Sequence, residues 1–423
     1  MGVDLRLAEG RVAGKNVETD RRRFDRAPDD VYVVASIDNY FQLQSAYESA
    51  VALTVRHVVR ERARQLCRGE GRLLNGAGSR LLLSWRVAGE ESAAADRALQ
   101  ESTLLERIVV ALGARGVEFT WGTVVPVISA RIVRASESLP DREDIAERSS
   151  LLVGNSKAWR SQYASDMAIA ADLLAALEGG ALRFDYEPVW YACVGEPVLY
   201  YEALLRRMVG ESSEAAGTFV PALERTGLVR RIDQWVMAAV IEALDANPAV
   251  RLGCNVSSLS AVVDLWWISI LTRLAEKPDV ASRLTIEITG TAPLDLAAAS
   301  YFAVTFQSLG CQIALDAARA GYSSIDALIS LRPDIAKIDA TYIDRARFMA
   351  TGQDCLTHLI GLASSCASRV VVEGIESDED LLIAQRSGAS WVQGYRAISV
   401  DGRVDLDDRV ERDRCNQAWH RGG

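Results

Sequence analysis

Seven short apolar runs between Val198 and Tyr395 each end in a polar residue that can bind a metal ion or a phosphate. In chain order the runs are VLYYE, RLGCN, LTIE, IALD, IAK, VVVE and WVQ, which end at Glu202, Asn255, Glu287, Asp316, Lys337, Glu373 and Gln393. Helix-compatible stretches separate them at a spacing close to the roughly 30 residues of a strand–helix unit. The pattern predicts parallel strands of a βα barrel, whose carboxyl ends carry the catalytic residues. Four carboxylates, an asparagine, a lysine and a glutamine would then face one mouth.

The composition indicates a chain with full-sized cores and no membrane span. With 423 residues and 49% apolar content, the chain is expected to form two or three domains. Charged residues interrupt every apolar stretch well before the ~20 residues that a spanning helix requires. Residues 1–30 are polar and lack the hydrophobic core of a secretion signal. We therefore expect a cytoplasmic protein that begins with a disordered polar tail.

Charge and metal-binding residue types limit the kinds of ligand. A net charge of −10 argues against a nucleic-acid polymer as the partner. Three histidines and seven cysteines are scattered without CxxC spacing, which argues against a zinc site and favours reduced thiols. Only four of the 47 cationic residues are lysines. Lys337 in the predicted mouth therefore stands out as a compact charge for one phosphate oxygen or water.

The order of the predicted elements gives an α/β fold class with an N-terminal α/β sandwich followed by a (β/α)8 barrel. Residues 31–164 contain VYVVASI, a long helix through Arg64, LLLSWRV, a helix around Leu99–Leu112, and VEFTWGTVVPVISARIV. Residues 165–180 predict an amphipathic linker helix that ends at two glycines, which suit a helix C-cap. The barrel is expected over 181–405 and a charged, peripheral tail over 406–423.

The barrel half resembles an EAL domain, the cyclic di-GMP phosphodiesterase family. The resemblance is carried by FDYEPVWYACVGEPVLYYEALLRR and GTFVPALERTGLVRRIDQWV, followed in order by NVSS, LTIEIT, LGCQIALD, GYSS, IAKIDATYI, VVVEGIES, GAS and QGY. Ordered motifs at barrel spacing over about 220 residues are highly specific. The resemblance implies a TIM-like EAL barrel that acts on a cyclic dinucleotide.

The same resemblance assigns roles to individual residues. A first Mg²⁺ or Mn²⁺ ion would be bound by Glu202, Asn255, Glu287 and Asp316, with Asp339 close by. These are oxygen donors, which suit such hard cations. Lys337 and Glu373 would orient and deprotonate the attacking water. The remaining ligand-binding positions would be Arg206 for a phosphate, Glu376 for a guanine edge, and Leu204, Pro221, Gln393, Gly394 and Tyr395 in the pocket wall.

The N-terminal half resembles, more weakly, a GGDEF domain, the diguanylate cyclase fold, through SIDNYFQLQSAY, AGSRLLL and YASDMAIAADLLAALEGG. The family's five signature residues fall at Ala77, Gly78, Ser79, Arg80 and Leu81, and the first metal-binding aspartate falls at Ser36. Phosphoryl transfer with two metals needs clustered carboxylates. We expect a regulatory or dimerising domain that is not a diguanylate cyclase.

The barrel half also departs from its family at specific positions. Ala317 replaces the second aspartate of the DDFG motif, a principal ligand of the second metal, so a second metal site is doubtful. Gly290 replaces the glutamate that anchors the loop carrying that motif, and Glu187 adds a negative charge in place of a glutamine. Loss of the second metal would weaken the stabilisation of the phosphorane charge.

These features lead to one favoured function and two alternatives. The favoured function is a degenerate GGDEF–EAL signalling protein that binds or responds to cyclic di-GMP, with little or no catalysis, and regulates through protein contacts. One alternative is a cyclic di-GMP phosphodiesterase that forms pGpG with residual or partner-activated activity. The second alternative is a scaffold without ligand. In each case the barrel is expected to form a homodimer or to bind a different partner protein.

Overall fold

The computed structural model describes residues 30–74, 78–86, 94–113, 115–133, 156–192, 198–316 and 325–394. Most of the expected polar tail and the whole charged tail at 406–423 lie outside these residues, as do Ala77, Ala317 and Tyr395. No helix in the ranges just given is both long enough and apolar enough to cross a membrane.

The N-terminal half contains an antiparallel four-stranded sheet in the order β2-β3-β1-β6. Its strands are β1 (Asp30–Ile37), β2 (Gly71–Leu73), β3 (Arg80–Arg86) and β6 (Ile128–Val133), and β4 (Val117–Phe119) and β5 (Gly122–Val124) form a separate hairpin. Side chains of the central strand β1 are buried on both sheet faces, Val33 on one and Val34 on the other. This is the α/β domain that the sequence predicts.

The helices of this half are α1 (Tyr40–Tyr47), α2 (Ser49–Leu66) and α3 (Ala94–Gly113). The single long helix expected through Arg64 is thus two helices. Glu48 separates them with a φ of 82°, a left-handed conformation that a continuous right-handed helix cannot contain. The expected helix around Leu99–Leu112 is present within α3.

A long helix, α4 (Lys157–Glu178), connects the two halves. The Ser156 side chain caps it by accepting a hydrogen bond from Trp159 N at 3.1 Å, and Gly179 ends it. It begins well before the start of the predicted linker at 165, because Ser156 supplies the N-cap that the sequence analysis did not use. The helix contacts α1 on one side and the barrel on the other.

Eight strands close into a barrel. They are β7 (Leu182–Tyr191), β8 (Val198–Val209), β10 (Leu252–Ser257), β11 (Leu284–Thr289), β12 (Gln312–Asp316), β13 (Ile335–Ile338), β14 (Arg369–Val372) and β15 (Trp391–Gln393). Parallel pairing of β8 with β10 completes the ring. The seven predicted runs correspond to β8 and β10 through β15, which pair in parallel from neighbour to neighbour.

The eighth strand, β7, was not among the predicted runs and is antiparallel to both β8 and β15. The short link between Tyr191 and Val198 explains the direction of β7, because parallel neighbours need a crossover of a dozen or more residues. A short strand, β9 (Ser212–Ala215), extends the sheet beyond β8.

Helices follow the strands and cover the barrel. In the described part of the barrel half they are α5 (Val220–Thr226), α6 (Val229–Ala246), α7 (Ile268–Glu276), α8 (Pro278–Ala281), α9 (Leu296–Ser308), α10 (Ile325–Leu331), α11 (Thr341–Phe348), α12 (Ala350–Ser364) and α13 (Asp378–Arg386). Pro221 lies in the first turn of α5, where its missing N–H is not needed. Ser377 and Asp380 form a capping box at the start of α13.

A buried acid, Asp233, lies on α6 beneath the end of β10. Its Oδ2 accepts a hydrogen bond from Ser257 N at 3.1 Å. Burial raises the pKa of Asp233 to about 7, which more than offsets that hydrogen bond. The folded state therefore binds the carboxyl proton of Asp233 more tightly than the unfolded state does. The free energy of unfolding should fall as the pH rises from the ordinary pKa of 3.8 toward 7.

We expect Asp233→Asn to stabilise the protein, and more so at about pH 8 than at about pH 5. Asparagine keeps an oxygen acceptor for Ser257 N and removes the buried charge. At about 1.4 kcal/mol per pKa unit, the gain at the higher pH is on the order of 2–4 kcal/mol. Urea unfolding of both proteins at the two pH values measures it. Asp245→Asn, at an exposed ion pair with Lys277, is the control. An equal gain for Asp233→Asn at both pH values would contradict the assigned pKa.

Candidate active site at the barrel mouth

A buried lysine lies at the centre of the predicted mouth. Lys337 on β13 is 2% exposed, and its Nζ lies 2.8 Å from Glu202 Oε2, 2.6 Å from Glu287 Oε2 and 2.9 Å from Glu373 Oε1. The parallel register brings these positions together, because the carboxyl ends of β11, β13 and β14 meet at one edge. Glu202 lies beside them from the middle of the longer strand β8. Burial opposes the charge on Lys337, but the three carboxylates hold the pKa of its ammonium well above the usual value.

Glu202 accepts more hydrogen bonds than the other two acids. Asn255 Nδ2 donates to its Oε1 at 2.5 Å, and Gln393 Nε2 donates to its Oε2 at 2.6 Å, in addition to the contact with Lys337. Burial alone would raise the pKa of Glu202. Lys337, Gln393 and Asn255 overcome that effect and hold the pKa below its usual value, so these partners favour the charged form of Glu202.

Glu287 shares the same lysine but titrates in the opposite direction. Burial and the neighbouring charge of Glu202 raise the pKa of Glu287 to about 8, although Lys337 lowers it. Its Oε2 accepts a hydrogen bond from Lys337 Nζ, while its buried Oε1 has no hydrogen-bond partner among the described residues. The difference between the two acids follows from the number of donors, because each hydrogen bond to a carboxylate favours the charged form.

A fourth acid lies beside the mouth. Glu187 on β7 lies opposite Glu202 in the antiparallel pairing. Burial and the charge of Glu202 raise the pKa of Glu187 above its usual value. Glu187 therefore places a further carboxyl group beside a cluster that contains one lysine.

The two predicted aspartates of the metal site lie at different places. Asp316 ends β12, opposite Lys337 in the parallel register, and is half-buried. Asp339 follows β13, and its Oδ1 accepts a hydrogen bond from Thr341 N at 2.9 Å at the start of α11. Across the described ranges, no hydrogen bond or ion pair joins Asp339 to Lys337 or its three acids. Asp316 is thus placed at the cluster edge, whereas the Asp339 carboxylate is engaged locally.

The predicted phosphate-binding arginine lies on the strand that carries Glu202. Arg206 Nε contacts Asp185 Oδ2 on β7 at 2.7 Å, in an ion pair whose aspartate is 63% exposed. Exposed ion pairs of this kind contribute little to stability, so Arg206 can exchange Asp185 for another anion at little cost. Leu204 is half-buried on the same strand, and Pro221 is half-buried at the start of α5.

The end of β15 lies against the loop that follows β14. Gly394 follows Gln393 with a φ of 155°, and a Cβ there would lie 2.4 Å from the backbone of Ile375. Only glycine permits this approach, which fixes the end of β15 against the loop after β14. Glu376 in that loop is exposed, and its backbone N–H donates to Asp380 Oδ2 at 3.1 Å, so its carboxylate remains available to a ligand.

The structure adds one polar residue that the sequence analysis missed. Glu224 on α5 accepts hydrogen bonds at its Oε1 from Ser257 Oγ and Thr291 Oγ1, each at 2.7 Å. It thereby joins the ends of β10 and β11 next to Gly290, which is buried. Glu224 lies within the quoted ALERTG motif, but nothing in its local spacing indicates partners in two distant loops.

The corresponding region of the N-terminal half lacks an acidic cluster within the described residues. Ser36 and Arg80 lie opposite each other in the β1–β3 pairing, and Ser79 O accepts the Ile37 N–H. Asp38 accepts a hydrogen bond from Ser129 Oγ at 2.7 Å, and burial raises its pKa to about 6. Within the described residues, the hydroxyl of Ser129 is thus the hydrogen-bond donor to Asp38 at this edge of the sheet.

The donor chemistry at the barrel mouth fits a hard divalent cation. Glu202, Asn255 and Glu287 all present oxygen atoms, and Glu287 Oε1 is buried without a hydrogen bond. Lys337, however, already lies between the carboxylates, and the described part of the chain contains no group of three or more His, Cys, Asp or Glu residues arranged as a metal site. A cation would therefore share these acids with the lysine.

We expect Lys337→Met to destabilise the protein by about 3–5 kcal/mol in EDTA, because it leaves buried acids without their counter-charge. The loss should grow between about pH 5 and pH 8, because Lys337 no longer holds down the pKa of the buried Glu202, and the folded variant then opposes the ionisation of that acid. Urea unfolding at both pH values measures it. Lys277→Met removes an exposed lysine ion pair and is the matched control. Equal losses in the two variants would contradict a central role for Lys337.

Known proteins share this barrel. The chain is 29% identical over 220 residues to the cyclic di-GMP phosphodiesterase PdeF of Escherichia coli, covering 50% of this chain and 29% of PdeF. It is 33% identical over 220 residues to a cyclic di-GMP phosphodiesterase of Pseudomonas aeruginosa, covering 50% of this chain and 37% of the relative. The chain thus spans about a third of the length of these curated relatives.

The whole fold has a solved counterpart. The apo structure of the S helix, GGDEF and EAL segments of Vibrio cholerae LapD aligns with a TM-score of 0.50 and 13% sequence identity, covering 86% of this chain and 88% of LapD in that structure. At this identity the likeness concerns the fold. Residues 170–398, more than half of the chain, match the EAL domain family model, and the chain therefore belongs to the EAL-domain family.

Proposed function

We propose that this chain is a cytoplasmic GGDEF–EAL signalling protein that binds cyclic di-GMP, has little or no catalytic activity, and regulates through protein contacts. The observation that carries the proposal is the buried Lys337 cluster, in which Glu202, Glu287 and Glu373 surround one ammonium. A barrel with a purely structural role would not require four acids and a lysine at one mouth. The relatives named as cyclic di-GMP phosphodiesterases support the choice of ligand.

The ligand would bind through groups on three sides of the mouth. Arg206 would release Asp185 and form an ion pair with a phosphate of the ligand instead. The exposed Glu376 would accept from a guanine edge, while Gln393 and Gly394, with Tyr395 beyond them, would line the wall. Charged contacts to phosphate are the stronger ones, so Arg206 should contribute most to affinity.

The catalytic groups would act on a water beside the phosphate. Lys337 would orient that water with its ammonium, and Glu373, 25% exposed at its side chain and paired to Lys337, would accept its proton. Glu202, Asn255, Glu287 and Asp316 would hold a Mg²⁺ or Mn²⁺ ion, which supplies neutralising charge at the phosphate when bound. Asp339 would act only after releasing Thr341 N.

Catalysis should be limited by the residues lost from the motif after β12. Ala317 provides no carboxylate next to Asp316, and Gly290 provides no side chain to anchor the loop. A phosphodiesterase with residual or partner-activated activity, which forms pGpG, is the second candidate. The intact Lys337–Glu373 pair at 2.9 Å favours it. A ligand-free scaffold would have no use for either residue.

The signal would be passed on by contacts of the barrel surface. Tyr301 and Val304 on α9 are 64% and 61% exposed, and Ile325 and Ile329 on α10 are 52% and 57% exposed. Helices α9 and α10 contact each other, so these four apolar side chains lie on adjacent elements. Exposed apolar groups of this kind mark interaction sites, which supports a homodimer or a different partner protein bound at the barrel.

We expect calorimetry in Ca²⁺ to show binding of cyclic di-GMP, and chromatography in Mg²⁺ or Mn²⁺ to show little or no pGpG. Arg206→Ala should weaken binding about 10- to 100-fold, as expected for loss of a charged hydrogen bond. Arg183→Ala, at the neighbouring position on β7, is the control. Rapid turnover would favour the second candidate, and absence of binding would leave the scaffold.

We further expect Ala317→Asp to raise hydrolysis, and Gly290→Glu to add to it only in the presence of Asp at 317. The first change restores a ligand beside Asp316, which lets two ions share that acid. The second change orders the loop, which helps little without the ligand. Turnover of all three variants is measured in Mn²⁺, with ligand binding as the folding control. If the double variant binds the ligand normally but its turnover stays at background, a different residue limits catalysis. Glu187 would then be the next position to change.

A further inference from the structure

The connecting helix α4 is bound to both halves of the molecule. On the barrel side, Asp166 forms a two-point ion pair with Arg225, with Nε and Nη2 each 2.7 Å from a carboxylate oxygen. The Asp166 side chain is 2% exposed and also accepts from Gln162 Nε2 at 2.9 Å. On the other side, Met167 Sδ accepts from Val125 N at 3.3 Å in the N-terminal half. Helix α4 therefore links the N-terminal half to Arg225.

The residue before Arg225 connects to the barrel mouth. Glu224 holds Ser257 Oγ and Thr291 Oγ1 at one carboxylate oxygen. Ser257 is the last residue of β10, which carries Asn255, and Thr291 follows β11, which carries Glu287. Asn255 and Glu287 are direct neighbours in the β10–β11 pairing. The two hydroxyl contacts thus hold the ends of two strands that carry predicted metal ligands.

Helix α5 is too short for Glu224 and Arg225 to move independently. It spans only Val220–Thr226, with Pro221 in its first turn, and Gly227, whose φ is 78°, caps its C-terminal end. A second contact reinforces the same end, because Arg231 Nη1 donates to Gly113 O, the last carbonyl of α3, at 2.9 Å. A cation at that position also suits the helix dipole of α3. The segment from Pro221 to Arg231 is therefore held by both halves.

We propose that α5 couples the N-terminal half to the barrel mouth, and that Glu224 is the positioning residue that carries this coupling to the ends of β10 and β11. The coupling deepens the proposed function and rests on it for the identity of the ligand. An intact contact between α4 and α5 keeps Ser257 and Thr291 in place, and thereby also Asn255 and Glu287 on the same two strands. A change in the N-terminal half that displaces α4 would loosen both strand ends.

The coupling is reciprocal. If the position of α4 changes the affinity of the mouth for cyclic di-GMP, binding at the mouth must change the α4–α5 contact by the same factor. Coupling of this kind is typically about 5- to 150-fold in affinity. The N-terminal half would then serve as the receiver or the sender of the signal without any catalysis of its own.

Hydrogen exchange of the full-length chain, without ligand, tests the coupling independently of the proposed function. The variants are Asp166→Asn, which weakens the ion pair with Arg225, and Glu224→Ala, which removes the acceptor at the mouth. We expect both to increase exchange in residues 257–261 and 289–292, with little change elsewhere in the barrel. Glu224→Gln keeps an oxygen for both hydroxyls and should restore slow exchange. Asp245→Asn, an aspartate in an exposed ion pair with Lys277, should change neither segment.

The outcomes separate the possible roles. Increased exchange throughout the barrel in Glu224→Ala would mean a merely structural role and overturn the proposal. Unchanged exchange at the mouth in Asp166→Asn would overturn the coupling to α4. If Asp166→Asn does not fold, Arg225→Lys replaces it, since it keeps the charge and loses the two-point geometry. In calorimetry, we expect Asp166→Asn to weaken cyclic di-GMP binding about 5- to 50-fold. A wild-type chain that binds no cyclic di-GMP refutes the proposed function, while the exchange data still decide the coupling.

Discussion

The barrel mouth depends on one buried charge, the ammonium of Lys337. Three carboxylates lie within ion-pair distance of it, and without it they would repel each other in a region of low dielectric. The strands can converge with their acids pointing inward only because this charge, or a cation beside it, is present. The residues that the stability of the mouth depends on are therefore the same residues that the sequence predicts for its chemistry.

The seven runs with polar ends predicted the barrel and the convergence of its acids, because period, spacing and strand polarity are local properties of the sequence. The family resemblance added the roles of Lys337 and Glu373. It also assigned Asp339 to the metal site. In the structure Asp339 follows β13 and its carboxylate accepts a hydrogen bond from Thr341 N, a local contact that motif matching does not reveal, and its metal role stays a prediction.

Other features could not be predicted because they depend on long-range contacts. The direction of β7 follows from a short link whose significance is clear only once the partner strands are known. Glu224 holds Ser257 and Thr291 across separations of 33 and 67 residues, and no periodicity encodes such pairs. The break between α1 and α2 requires a positive φ at Glu48, a conformation that glutamate rarely adopts. In each case tertiary packing decides between local options.

The antiparallel β7–β8 hairpin has a consequence for how the molecule folds. Every other strand-to-strand step in the barrel brings a helix that covers the outer wall, but the short link between these two strands cannot. Helix α4, which precedes β7 in the chain and contacts β8, covers that wall instead, and the EAL match accordingly begins at residue 170, inside α4. Since α4 also packs into the N-terminal half, a cut on either side of α4 removes packing from one of the halves. The two halves should therefore melt as one cooperative unit.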